Sequence, residues 1–180
     1  MEDEDLMLQT PIGDEDWSSG PTDAPVQIVE YVDFECPHCR EAHEQLDAIR
    51  AEFPDFRLVV RHFPITSIHP HAQPAAEAAE AAGAQGKFWE MHDLLFEHQD
   101  RLDPDDLHGY AQQLGLDVER FDRELSERTY ESRVKQSFRN GIGDGVNGTP
   151  TIFINGVRYD GPRDHETFLE VLKQVAAQAG

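Results

Sequence analysis

Cys36 and Cys39 are the only thiols of the chain, and they stand within Glu35-Cys36-Pro37-His38-Cys39-Arg40. A pair this close can hold a metal, exchange electrons with other thiols, or staple a turn. A structural zinc site with four protein ligands shows two close ligand pairs at recognisable spacing. Cys36-x-x-Cys39 supplies one pair, and His69-Pro70-His71 is too tightly spaced to resemble the other. Thiol exchange gains weight from what surrounds the motif.

Val26 to Phe34 is β-branched and aromatic, as in a strand buried on both faces. From Cys39 the pattern turns helical, with Ala42, Leu46 and Ile49 near one face, until Phe53-Pro54 stops it. Arg57 to Phe63 reads as a second strand, so the motif sits inside a βαβ unit whose strands should be parallel and whose connection should be right-handed. A Cys-x-x-Cys between a strand's end and a helix's start places its first sulfur over unpaired backbone N–H groups and the positive end of the helix dipole. Both favour the thiolate, and such settings lower a thiol pKa from about 8.5 into the ~3.5–7.5 range. Cys36 is therefore expected to be the attacking sulfur, and Cys39, further into the helix, the resolving one. Glu30 lies inside the first strand, where a carboxylate needs either a partner or a raised pKa.

The remaining elements follow the same logic. Residues 1–24 are acidic and broken by Pro11, Gly13, Gly20 and Pro21, and read as a flexible lead-in. Between 72 and 140 no strand is expected, only helices over about 75–84, 87–98, 104–114, 118–126 and 130–140, with Asp103 as N-cap before Pro104. Thr151 to Ile154 and Val157 to Tyr159 flank Asn155-Gly156, a strong hairpin signal. A final amphipathic helix should run from about Asp164 to Ala177. Gly143-Asp144-Gly145-Val146-Asn147-Gly148 matches G-x-G-x-x-G, but it follows a helix and precedes a strand, the reverse of the dinucleotide-binding context, and Asp144 would repel a pyrophosphate. These glycines read as a flexible turn.

With 180 residues, 38% hydrophobic content and a formal charge of −21, the chain can bury a core but lacks the clustered cations of a nucleic-acid surface. Only three lysines are present, Lys87, Lys135 and Lys173. No apolar run approaches the roughly 20 residues of a membrane span, so direct membrane insertion is not expected. The acidic start Met1-Glu2-Asp3-Glu4-Asp5 is unlike a secretory leader. The sequence as written thus reads as cytoplasmic, and an extracytoplasmic setting requires a leader or anchor outside it.

Cys36-Pro37-His38-Cys39 together with Gly148-Thr149-Pro150-Thr151 resembles the DsbA-like branch of the thioredoxin fold, over residues 25 to 178. The chain is also similar to the DsbA-like domains fused to some bacterial sodium/proton antiporters. The resemblance implies an α/β thioredoxin fold, βαβ then ββα on a mixed sheet, formed by residues 25–71 and 141–180, with an all-helical insertion at 72–140. It implies a nucleophile at Cys36, a resolving thiol at Cys39, and a tuning dipeptide at Pro37 and His38. It further implies a cis-proline at Pro150, preceded by Thr149 whose backbone can pair with an extended substrate, and a buried acid at Glu30. The implied activity is thiol:disulfide exchange between the Cys36–Cys39 pair and dithiols of protein substrates, with the oxidase direction favoured. Such a chain needs a redox partner and no metal or organic cofactor. The alternative is a non-enzymatic binding or metal-binding regulatory module on the same fold.

Overall fold

The computed structural model describes residues 6–179. In chain order the elements are β1 (Trp17–Ser19), β2 (Val26–Val32), α1 (Pro37–Glu52), β3 (Phe56–His62), α2 (Ala72–Gly83), α3 (Phe88–Glu97), α4 (Pro104–Gln113), α5 (Val118–Ser126), α6 (Glu131–Gly143), β4 (Thr151–Ile154), β5 (Val157–Tyr159) and α7 (His165–Ala179). The strands form one sheet in the order β1-β3-β2-β4-β5. β1 pairs with β3, β2 with β4 and β4 with β5, all antiparallel. β3 and β2 are neighbours joined through α1, and the sheet is mixed, as in the thioredoxin fold.

Local chemistry accounts for the boundaries. β2 is buried at every position but Gln27, as its β-branched run requires. The β4–β5 hairpin turns at Asn155 and Gly156, both at positive φ (50° and 83°), the geometry that makes Asn-Gly the preferred pair. Asp103 caps α4 in a reciprocal box with Asp106, and Pro104 takes the first turn. Asp164 accepts both the amide and the hydroxyl of Thr167 at the start of α7.

Two compact units emerge. One holds the sheet and comprises residues up to Val32, Glu41–Arg61 and those from Asn140 on. Its core includes Ile28, Tyr31, Ile49, Phe56, Phe153 and Phe168, all essentially unexposed. The other comprises Asp33–Arg40 and His62–Arg139 and is helical. There α2 packs on α3 and α5 through alanines at 75, 76, 78, 79, 81 and 82, which let helices approach closely. Residues 33–40 and 62–71, grouped with the sheet in the sequence reading, belong by their contacts to this helical unit.

The flexible lead-in expected over residues 1–24 is not what the structure shows for residues 6–24, while residues 1–5 lie outside the described residues. Trp17–Ser19 forms the edge strand beside β3, and Met7 bridges Val157. Gly20, at φ +87°, sits so close to the Phe56 carbonyl that a Cβ would lie 2.2 Å from it. The attachment is mostly polar, which is why apolar patterning did not reveal it. Arg61 donates to the carbonyls of Thr10 and Pro11 and clasps Asp16 through Nε and Nη2 at 3.0 and 2.9 Å. Asp144, 1% exposed, accepts the amides of Gln9 and Thr10 at 2.7 and 2.8 Å and the Tyr31 hydroxyl at 2.6 Å, with Arg61 at 3.6 Å. The loop read as a flexible turn thus carries a buried anchor.

Replacing that anchor should be costly, because the buried Tyr31 hydroxyl and the Gln9 and Thr10 amides would lose their acceptor, although Arg61 keeps Asp16. Asp144→Ala is expected to lose about 1–3 kcal/mol in urea denaturation, with faster hydrogen exchange at the Gln9 and Thr10 amides. A variant as stable as the wild type would show that this stretch is held without Asp144.

Candidate active site

The segment that carries the cysteines is shaped by one buried acid. Asp33 follows β2 directly and is 1% exposed. One of its oxygens accepts the Glu35 amide at 2.8 Å; the other accepts the Ile65 amide at 2.9 Å and faces His69 Nδ1 at 2.8 Å. Its carbonyl accepts the Cys36 amide at 3.0 Å, closing a turn from Asp33 to Cys36. The Cys36 carbonyl then accepts from the amides of Cys39 and Arg40 at 3.1 and 3.2 Å, so Cys36 is the N-cap of α1 and Pro37 its first helical residue. Gln99 Nε2 donates to the carbonyls of Phe34 and Cys36, both at 2.8 Å, and fixes the turn from the helical unit.

Cys36 is 5% exposed and Cys39 fully buried, while Pro37 and His38 are exposed. A sulfur at the N-cap lies at the positive end of a 16-residue helix whose first turn holds no acid. That setting stabilises negative charge on the first sulfur.

In the sheet unit, Glu30 lies opposite Ile152 of β4 and is 2% exposed. Among the described residues its Oε2 finds no hydrogen-bond partner. Burial pushes its pKa up to about 8, against the opposing charge of Arg163. The Thr149–Pro150 peptide is cis, and the Thr151 hydroxyl donates to the Gly148 carbonyl at 2.7 Å. Pro150, Ile152, Tyr159, Asp160, Gly161 and Arg163 line a cavity of about 210 Å³. That is below the roughly 300 Å³ of sites that enclose whole small molecules, and suits a side chain.

Several site residues were missed by the sequence reading. In sequence His69 and His71 suggest only metal ligands, yet each faces a carboxylate: His69 meets Asp33, and His71 meets Glu35 at 2.7 Å and Asp103 at 3.0 Å. The available signal was the matched spacing of Asp33-x-Glu35 and His69-x-His71. Nothing local in the sequence marks Gln99.

A family model described as Thioredoxin matches residues 14–174. The chain is 46% identical over 173 residues to the Na(+)/H(+) antiporter NhaA 3 of Salinispora tropica, covering 96% of this chain and 26% of that protein. It thus spans about a quarter of the length of the curated relatives it matches. Among solved structures it is similar to a thioredoxin-like oxidoreductase from Silicibacter pomeroyi (TM-score 0.79, 26% identity, 93% of this chain and 95% of that one). It also shares its fold with oxidised BdbD from Bacillus subtilis (TM-score 0.84, 22% identity, 96% of this chain and 98% of that one). Among the described residues no helix is long and apolar enough to cross a membrane.

The Glu30 carboxyl makes stability depend on pH. Its pKa is 4.5 in the reference state and about 8 in the fold. The folded chain therefore keeps a proton that the unfolded chain releases, and stability is lost as pH rises from about 4.5 toward 8. Glu30→Gln has no such loss, so its stability relative to the wild type should grow by roughly 3 kcal/mol between pH 4 and pH 7 in urea melts. A difference constant across that range would mean that Glu30 titrates normally.

Proposed function

Because this chain belongs to the thioredoxin family, with the fold of DsbA-like thiol:disulfide oxidoreductases, we propose that it exchanges the Cys36–Cys39 disulfide with dithiols of protein substrates. The observation that carries this reading is Cys36 at the N-cap of α1 with Cys39 buried one turn further on. A substrate thiolate attacks Cys36 Sγ, the Cys36–Cys39 bond breaks, and Cys39 leaves as a thiolate that takes up a proton. A second substrate thiolate then attacks the substrate sulfur of the mixed disulfide and releases Cys36. The substrate dithiol loses two electrons and becomes a disulfide, while the chain gains them and becomes a dithiol.

Direction depends on which form of the pair the protein stabilises. The helix dipole and the neighbouring His38 favour the Cys36 thiolate, hence the reduced form, and this makes the disulfide the stronger oxidant. The oxidase direction follows. Glu30, with its pKa near 8, carries a proton at neutral pH and is our candidate for the buried acid of the exchange. Thr149, before the cis peptide, offers backbone for an extended substrate to pair with, a mode that reads main chain and accepts many proteins. A redox partner must then restore the disulfide after each turnover.

The transporter names of the curated relatives favour a second reading, a regulatory module that keeps the fold without turning over substrates. Insulin reduction and dithiol oxidation assays separate the two. Wild type should be active, Cys36→Ser inactive, and Cys39→Ser should accumulate the mixed disulfide. The reduction potential should lie nearer about −120 mV than about −270 mV. Wild-type activity no better than Cys36→Ser would leave the regulatory module. In the same assays Glu30→Gln should shift the pH dependence of the step at Cys39, and an unchanged profile would remove Glu30 from the mechanism.

A further inference from the structure

We propose that His69 and His71 clamp the turn presenting Cys36, and that the His71 arm, an imidazolium held between Glu35 and Asp103, sets how readily the Cys36 thiolate forms. This rests on the reading of Cys36 as the attacking sulfur. All five residues belong to the helical unit. Glu35, the residue before Cys36, receives two bonds from His71: the backbone amide at 3.0 Å and ring Nδ1 at 2.7 Å. Ring Nε2 lies 3.0 Å from Asp103 Oδ1. A carboxylate only accepts hydrogen bonds, whereas a neutral imidazole carries a single N–H. Both contacts are satisfied together only when both ring nitrogens are protonated.

The groups facing His71 are otherwise acidic. Glu35 comes from the turn before α1, and Asp103 from the cap of α4, where Asp106 holds its amide. On its own segment, His69 is engaged with Asp33. The hydrogen bond to Glu35 is the largest cause raising the His71 pKa, so the ring stays charged above the usual histidine range. As pH rises through that raised value, one of the two ring contacts loses its proton and the clamp loosens. Glu35 is then left with an uncompensated negative charge next to Cys36, which disfavours a second negative charge on the sulfur.

His71 is thus a positioning residue that acts through Glu35, and charge distinguishes this from mere packing. The test is the rate at which the reduced protein is alkylated by iodoacetamide across pH. His71→Gln should slow alkylation of Cys36 about three- to tenfold near pH 6, through a higher thiol ionisation midpoint. Glu35→Gln added to His71→Gln should restore the rate, because no unpaired charge remains. A slowed single variant that the double variant fails to rescue would overturn the proposal, as would a His71→Gln profile superimposable on wild type. In the folded wild type, the Cys36 amide resonance should titrate with the midpoint of the His71 ring, and an amide that ignores that midpoint would equally overturn it. Alkylation needs no disulfide substrate. A chain that alkylates as expected but fails the insulin assay would therefore overturn the proposed function alone.

Discussion

Asp33 is a carboxylate with 1% exposure placed where β2 ends, and burying such a charge is tolerable only if its oxygens are hydrogen-bonded. It meets that condition by taking two amides and a histidine, Glu35, Ile65 and His69. The bond to the Glu35 amide tightens the chain just after the strand. The Asp33 carbonyl then takes the Cys36 amide, so the next residues begin α1 with the first sulfur at its N-cap. The cysteines therefore owe their placement to a polar constraint rather than to packing of their own. The bonds to Ile65 and His69 explain why residues 33–40 keep company with the helical unit although they follow a strand of the sheet.

The buried acids of this chain fall into two kinds. Asp33, Asp144, Glu77 and Glu80 are met by amides, arginines or histidines, and their burial is offset by the bonds they accept. Glu30 differs, with an oxygen that finds no partner among the described residues and a pKa near 8 inside a largely apolar strand. An unmatched carboxyl is costly to stability, and the sheet retains it where Ile28 on the same strand face and the paired Ile152 would favour another apolar side chain. Such an exception to polar satisfaction points to use rather than to architecture. That contrast supports the role proposed for Glu30, whereas the bonds of Asp144 are structural, although both are buried acids of the same unit.

Much of the fold was legible because local rules agreed with one another. The β-branched run of β2, the Asn155-Gly156 turn and the capping of α4 by Asp103 and Pro104 each carry their own signal, and the structure places elements within a few residues of those expected. The position of the cysteine pair was legible because its flanks fixed it between strand and helix. Residues 6–24 were not, since they are held by Arg61 and Asp144 from distant parts of the chain. Low hydrophobicity looks the same whether a segment is loose or bound through its backbone. His71 was illegible for a similar reason, because its partners Glu35 and Asp103 are distant in sequence and near only once the chain has folded.

Composition and site meet in the choice of counter-ions. With 36 acids against 15 Lys and Arg, few strong cations are available to partner buried carboxylates. Arg61, Arg128 and Arg133 are engaged with Asp16, Glu77 and Glu80. The acids around the cysteine turn rely instead on histidine: His69 for Asp33 and His71 for Glu35. Arginine stays charged throughout the physiological range, whereas histidine ordinarily gains or loses its charge near pH 6.5. The acid-rich composition thus leaves the sheet unit clasped by a permanent cation, Arg61, and Glu35 before Cys36 held by a histidine, His71, whose pKa is raised by that contact. A thiol's reactivity is itself set by a proton. The His71 contact makes that turn's support and its chemistry respond to the same variable.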